Sequence, residues 1–115
     1  GYDIDLEVVL DDEVVSRPPY ASTYWSPAQM LAHLTSNGAS LRTGDLFASG
    51  TVSGPGPDQR GSLLELTWGG TEPLPDGRTW LRDGDTVTLR ATAPGALGGR
   101  IALGEVTGTV LPAPA

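Results

Sequence analysis

The first feature of this 115-residue sequence that could do chemistry is a carboxylate set in an apolar stretch. Glu65 stands within Leu63-Leu64-Glu65-Leu66, where it must either face water or be held by a partner. Alternation along a strand puts it on a solvated outer face. If the face it shares with Leu63 and Thr67 is covered, the carboxylate becomes a candidate for orienting a catalytic base. Upstream runs Gly50-Thr51-Val52-Ser53-Gly54-Pro55-Gly56-Pro57, with small hydroxyl residues set among residues that allow close backbone approach. Such a string either walls a ligand or forms a plain wide turn, because Gly-Pro sequences are punctuation before they are binding sites. It is not a phosphate loop, since the lysine and the helix opening of such a loop are missing.

His33 is the single histidine, and so the one side chain here with an ordinary pKa near neutrality. Its neighbours in sequence offer neither an orienting carboxylate nor metal-ligand spacing, which marks it as a surface or packing residue. The acidic run Asp3, Asp5, Glu7, Asp11, Asp12 lacks the turn glycine and terminal glutamate of a helix–loop–helix calcium site and reads as a solvated strand face.

Composition removes several classes of function. The formal net charge of −7 repels a polyanion at long range, so nucleic acid is not an expected partner. All 7 basic residues are arginine, which excludes a lysine Schiff base within this segment, and the absence of cysteine excludes thiol chemistry and disulfides. No apolar run approaches the roughly 20 residues that a membrane helix needs, and no charged-then-apolar leader precedes the first strand, so a cytoplasmic location is expected. The 16 glycines and 10 prolines together fall just under the roughly 25–30% that suggests low complexity, and they indicate many tight turns.

The elements that must position these residues are mostly strands. Ile4, Leu6, Val8 and Leu10 alternate with Asp3, Asp5 and Glu7, and Asp11-Asp12 separates them from Glu13-Val14-Val15, which predicts a hairpin. Arg17-Pro18-Pro19-Tyr20 interrupts regular pairing because proline has no N–H to give to a ladder. Ser26-Pro27-Ala28-Gln29 reads as an N-cap serine, a proline at the first helical position and a capping-box glutamine. Met30, Leu31 and Leu34 then share one face, and Asn37-Gly38 supplies a left-handed stop. One short helix near 27–37 is therefore predicted, with no second stretch of helical spacing.

Beyond it the spacing predicts strands at 46–52, through Leu64, Leu66 and Trp68, at 86–93, and as one or two strands over 100–110 broken around Gly104 and Gly108. Leu41-Arg42-Thr43-Gly44-Asp45 and Leu81-Arg82-Asp83-Gly84-Asp85 carry the same turn phrase, either an internal repeat or convergent turn chemistry. A mainly β segment of about seven short strands with one helix suits a sandwich, roll or barrel.

Short motifs spread over the chain carry a resemblance. Tyr24-Trp25, Asn37-Gly38, Leu41-Arg42, Gly44-Asp45, Ala48-Ser49-Gly50-Thr51, Ser53-Gly54-Pro55, Gly61-Ser62, Leu64-Glu65-Leu66, Asp83-Gly84-Asp85, Arg100-Ile101 and Val110-Leu111-Pro112-Ala113 stand in the order and spacing of one family. From Tyr2-Asp3-Ile4 to its end the chain resembles the C-terminal part of the fumarylacetoacetase family.

That resemblance implies a mixed β-sandwich or β-roll catalytic domain, of which residues 1–115 are an incomplete part. It implies a cytosolic homodimer that hydrolyses 4-fumarylacetoacetate to fumarate and acetoacetate at the last step of tyrosine degradation. A divalent cation, magnesium or calcium, would bind the diketo oxygens through ligands upstream of this segment, with no metal ligand in the segment itself. Glu65 falls at the glutamate that orients the catalytic histidine, and Thr51 at a threonine that contacts substrate. The histidine, the acidic metal ligands and the substrate-gripping arginine, glutamine and tyrosines all belong upstream, and His33 does not fall at the catalytic position. Arg60 and Thr43 depart from the residue types expected at two turns. The segment alone is expected to be inactive. Other readings are an acylpyruvate hydrolase or keto-acid decarboxylase of the same superfamily, or a non-catalytic β-rich binding or dimerisation module.

Overall fold

A computed structural model describes residues 1–114. The hairpin forms as its pattern predicts: β1 (Asp5–Leu10) turns through Asp11-Asp12 into β2 (Glu13–Ser16), with Leu10 opposite Glu13 and Val9 opposite Val14. Asp11 takes a left-handed φ of 54°, which aspartate tolerates better than most residues. Its carboxylate helps to hold that conformation, accepting from the Thr86 amide at 2.9 Å through Oδ1 and from Arg78 at 2.7 Å through Oδ2.

The capping chemistry of Ser26 and Gln29 is also realised, and α1 (Pro27–Thr35) begins where they place it. Gly38, at φ 89°, gives its amide to the Thr35 carbonyl and closes the helix.

The next regular element departs from the sequence reading. Leu64 and Leu66 do not lie on a strand; Leu63–Leu66 is a single helical turn, α2, with Ser62 as its N-cap. Three alternating apolar residues fit one turn of helix as well as a strand, and the Ser62 hydroxyl, by accepting the Glu65 amide at 3.3 Å, tips the balance. Two short 3₁₀ turns, Tyr20–Ser22 and Pro57–Gln59, complete the helical content.

β3 (Thr86–Pro94) and β4 (Arg100–Thr109) form the long antiparallel pair, and the sheet order is β2-β1-β3-β4. The protein is thus mainly β, with four strands among the described residues where about seven were predicted. The stretch 46–52 forms no strand: Leu46 is 98% exposed, and no neighbouring strand supplies the ladder on which β structure depends. The expected break at Gly104 is a bulge, since Arg90 faces Glu105 while Thr92 faces Ala102, and Gly104 takes up the extra residue at φ 87°.

Both copies of the turn phrase adopt one geometry. The Asp45 and Asp85 carboxylates accept from the amides of Arg42 and Arg82 at 2.9 and 2.8 Å, with Gly44 and Gly84 at φ 93° and 94°. Of the two, the second leads into a strand, β3.

Val9 and Leu10, 2% and 3% exposed, form the core at the centre of the sheet. As successive strand residues they point to opposite faces, so both faces are covered at this end of β1. β4, by contrast, is exposed along its whole length, with Ile101, Leu103 and Val106 all more than half exposed. Arginines neutralise most of the acidic strand face: Arg100 pairs with Asp3 and Asp5, Arg17 with Glu7, and Arg78 with Asp11, Asp76 and Asp85. No helix among the described residues is long and apolar enough to cross a membrane.

Candidate active site

Glu65 owes its place to two chain segments that converge through a Gly-Pro loop. One is α2, whose N-cap sets the carboxylate one turn from Ser62. The other is the Gly50 to Pro57 string, which folds back so that the Gly54 amide donates to the Gln59 carbonyl at 2.8 Å while Gln59 Oε1 accepts from the Gly56 amide at 3.1 Å. The loop is anchored to the sheet by Ser16, 1% exposed, whose hydroxyl donates to the Arg60 carbonyl at 2.6 Å. The Arg17 amide donates alongside it to the Asp58 carbonyl at 2.7 Å.

At the meeting point the Ser53 hydroxyl donates to Glu65 Oε2 at 2.8 Å and the Ser62 hydroxyl donates to the same oxygen at 3.0 Å. Oε1 accepts no hydrogen bond among the described residues. The Ser53 and Ser62 hydroxyls hold the carboxyl below the usual glutamate range, assisted by the Gly61 amide and the Arg60 charge, and against a smaller opposing effect of desolvation. A carboxylate biased toward its anion is poorly suited to act as a proton donor near neutrality. It is well suited to accept an N–H and to stabilise a cation.

Ser53, Gly54, Arg60, Leu64, Trp68 and Gly69 line an open concavity of about 410 Å³ around Glu65. Arg60 spans it, donating through Nη1 to the Glu65 carbonyl at 3.2 Å and lying 5.2 Å from the centre of the Trp68 ring. Trp68 takes a left-handed φ of 47° just after the helical turn. Beneath it Thr67 is fully buried, its hydroxyl donating to the Leu63 carbonyl at 2.7 Å and accepting from the Gly70 amide at 3.1 Å.

The residues singled out in the sequence are not all gathered here. Thr51 is exposed, two residues before Ser53, with its methyl facing Gly61, and it does not line the concavity. His33 is exposed on α1 and borders a separate apolar groove with Trp25, Met30 and Phe47. Ser62 and Arg60 went unrecognised as neighbours of Glu65. Ser62-x-x-Glu65 has the form of a capping box, and that signal could have revealed both the helical turn and the serine. Among the described residues no group of three or more His, Cys, Asp or Glu side chains converges so as to hold a metal ion.

Comparison with known proteins agrees with the family resemblance carried by the motifs. Residues 1–110 match the family model described as Fumarylacetoacetate (FAA) hydrolase C-terminal. The chain is 44% identical over 123 aligned positions to fumarylacetoacetase of Arabidopsis thaliana, covering 99% of this chain and 29% of that protein. It is 43% identical to fumarylacetoacetase of Homo sapiens, covering 97% and 29%, and 47% identical to that of Caenorhabditis elegans, covering 89% and 25%. The chain belongs to the fumarylacetoacetase family, as a C-terminal segment. It spans somewhat less than a third of the length of these curated relatives.

Proposed function

We propose that this chain supplies the supporting part of the active site of a carbon–carbon bond hydrolase that converts 4-fumarylacetoacetate and water to fumarate and acetoacetate in tyrosine catabolism. The observation that carries the reading is the anionic Glu65 carboxylate, held by two hydroxyls at the edge of an open concavity in a chain of this family. In this reading Glu65 accepts an N–H from a histidine outside the segment, fixing its tautomer and stabilising its cationic form. The histidine removes a proton from water, the water oxygen adds to the substrate carbonyl, and the carbon–carbon bond breaks with its electron pair leaving on the acetoacetate carbon, which takes up the proton held by the histidinium to complete acetoacetate and return the neutral base.

Thr51, which lies outside the concavity in this segment, is in this reading a substrate contact in the complete enzyme. Magnesium or calcium belongs to the complete enzyme, with ligands outside this segment. Residues 1–115 are one incomplete part of a β-roll catalytic domain, and the complete protein is a cytoplasmic homodimer. Loss of diketone absorbance on adding 4-fumarylacetoacetate to a full-length protein bearing this segment tests the reading. Turnover that depends on an added divalent cation and falls sharply in Glu65→Gln is expected. Turnover of acylpyruvates alone would move the protein to that branch of the superfamily, and no turnover of either class would reject a hydrolase.

A further inference from the structure

Beyond the assignment of Glu65 lies the question of which of its oxygens does the work, and the hydrogen bonds answer it. We propose that Ser53 and Ser62 are positioning residues: their hydroxyls pin Oε2, so that Oε1 is the oxygen offered to the catalytic histidine. The inference rests on the reading of Glu65 as that histidine's partner.

The directions of the bonds leave little freedom. The Ser53 oxygen accepts the Gly61 amide at 3.0 Å, which directs its single proton to Oε2. Ser62 does the same from the other side, accepting the Glu65 amide and giving its proton to Oε2. The terminal torsion of a glutamate is broad and roughly two-fold, and two donors on one oxygen from two chain segments narrow it. Capping a helical turn explains Ser62 alone. Ser53 caps nothing: it stands 12 residues from Glu65 in a Gly-Pro loop, and its hydroxyl is the one side-chain bond from that loop to the carboxylate. Apart from Glu65, the charged side chain lining the concavity is Arg60, and it engages the Glu65 backbone carbonyl rather than the carboxylate. Among the side chains, orientation of the carboxylate therefore falls to the hydroxyls, with the Gly61 amide beside them bonded to Ser53 Oγ.

The test uses the full-length, metal-loaded protein with Ser53→Ala, Ser53→Thr and Glu65→Gln, measuring kcat and KM for the diketo acid and titrating the carbon-13-labelled Glu65 carboxyl. Ser53→Ala should lower kcat about tenfold to a hundredfold with KM within about threefold, as for other groups that orient a ligand or base. It should also raise the carboxyl midpoint, and Ser53→Thr, which keeps the hydroxyl, should restore most of both. Should the alanine variant not fold, Ser53→Cys keeps the volume and weakens the donor, and should fall between wild type and the loss expected for alanine. An active Ser53→Ala with an unmoved midpoint, beside an inactive Glu65→Gln, overturns the positioning role and leaves the Glu65 reading standing. A fully active Glu65→Gln overturns the underlying reading, and the positioning proposal with it.

Discussion

Gly61 packs directly against the carbonyl of Val52, so closely that a β-carbon at Gly61 would collide with that oxygen and with the Thr51 methyl. Neither the carbonyl nor the peptide behind it can rotate aside as a long side chain would. The contact brings the Thr51 to Ser53 segment alongside the start of α2, and so sets the distance from Ser53 to Glu65. Gly61→Ala should therefore cost about 1–3 kcal/mol of stability, the usual range for overpacking. It should lower kcat further than the stability loss explains, because the hydroxyl is displaced from Oε2. Urea unfolding and steady-state kinetics on the same variant check both, and an unchanged kcat would mean that the segment spacing is not critical.

Glu65→Gln preserves shape and removes charge. If the carboxylate stabilises a histidine cation, turnover by the full-length protein should fall on the order of 10²–10⁴-fold while KM changes little. The 115-residue polypeptide by itself should show no turnover, since its one histidine, His33, borders a different groove. Hydrolysis of the diketone by the isolated segment would contradict this assignment.

Arg78 gathers Asp11, Asp76 and Asp85 at 2.7, 2.6 and 3.0 Å, tying the 74–78 turn to the hairpin and to the entry of β3. Hydrogen bonds to the Thr86 amide and Arg78 hold Asp11 below the usual aspartate range, and the Arg78 backbone amide and guanidinium do the same for Asp76. A depressed folded pKa means stability that is complete above the unfolded value, near 3.8, and is lost as pH falls through the lower folded value. Tm should decline below about pH 5. Arg78→Met should lower Tm at neutral pH and flatten the acid slope. A slope equal to wild type in that variant would show that these carboxylates do not couple to Arg78.

Among the described residues β4 has a neighbour on one side only, and its Ile101, Leu103 and Val106 are 52% to 71% exposed. Such an edge recruits other strands. The isolated polypeptide should self-associate in a concentration-dependent way in size-exclusion chromatography with light scattering, and Val106→Lys should reduce the association. A monomer at every concentration would show that the edge is inert.

Local chemistry was legible in the sequence and long-range placement was not. The box at Ser26 and Gln29, the alternation of β1 and the Gly-Asp turns each involve residues within a few positions of one another, where the chain dictates its own geometry. Leu46 to Val52 failed as a strand because β structure needs a partner, which propensity cannot provide. Leu63 to Leu66 was read with the wrong period because four residues do not distinguish a period of 2 from one of 3.6, and the serine three places before Glu65 carried the missing information. Resemblance singled out Glu65, but its bond to Ser53 depends on the path of eleven intervening residues, and no pattern rule reaches that far.

Ser16 gives the sheet a part in the chemistry. It lies at the last position of β2, an edge strand, and its hydroxyl suspends the loop whose far end carries Glu65. Edge strands fray before central ones, so opening of β2 at Ser16 would release the strand end of the loop that holds the carboxylate.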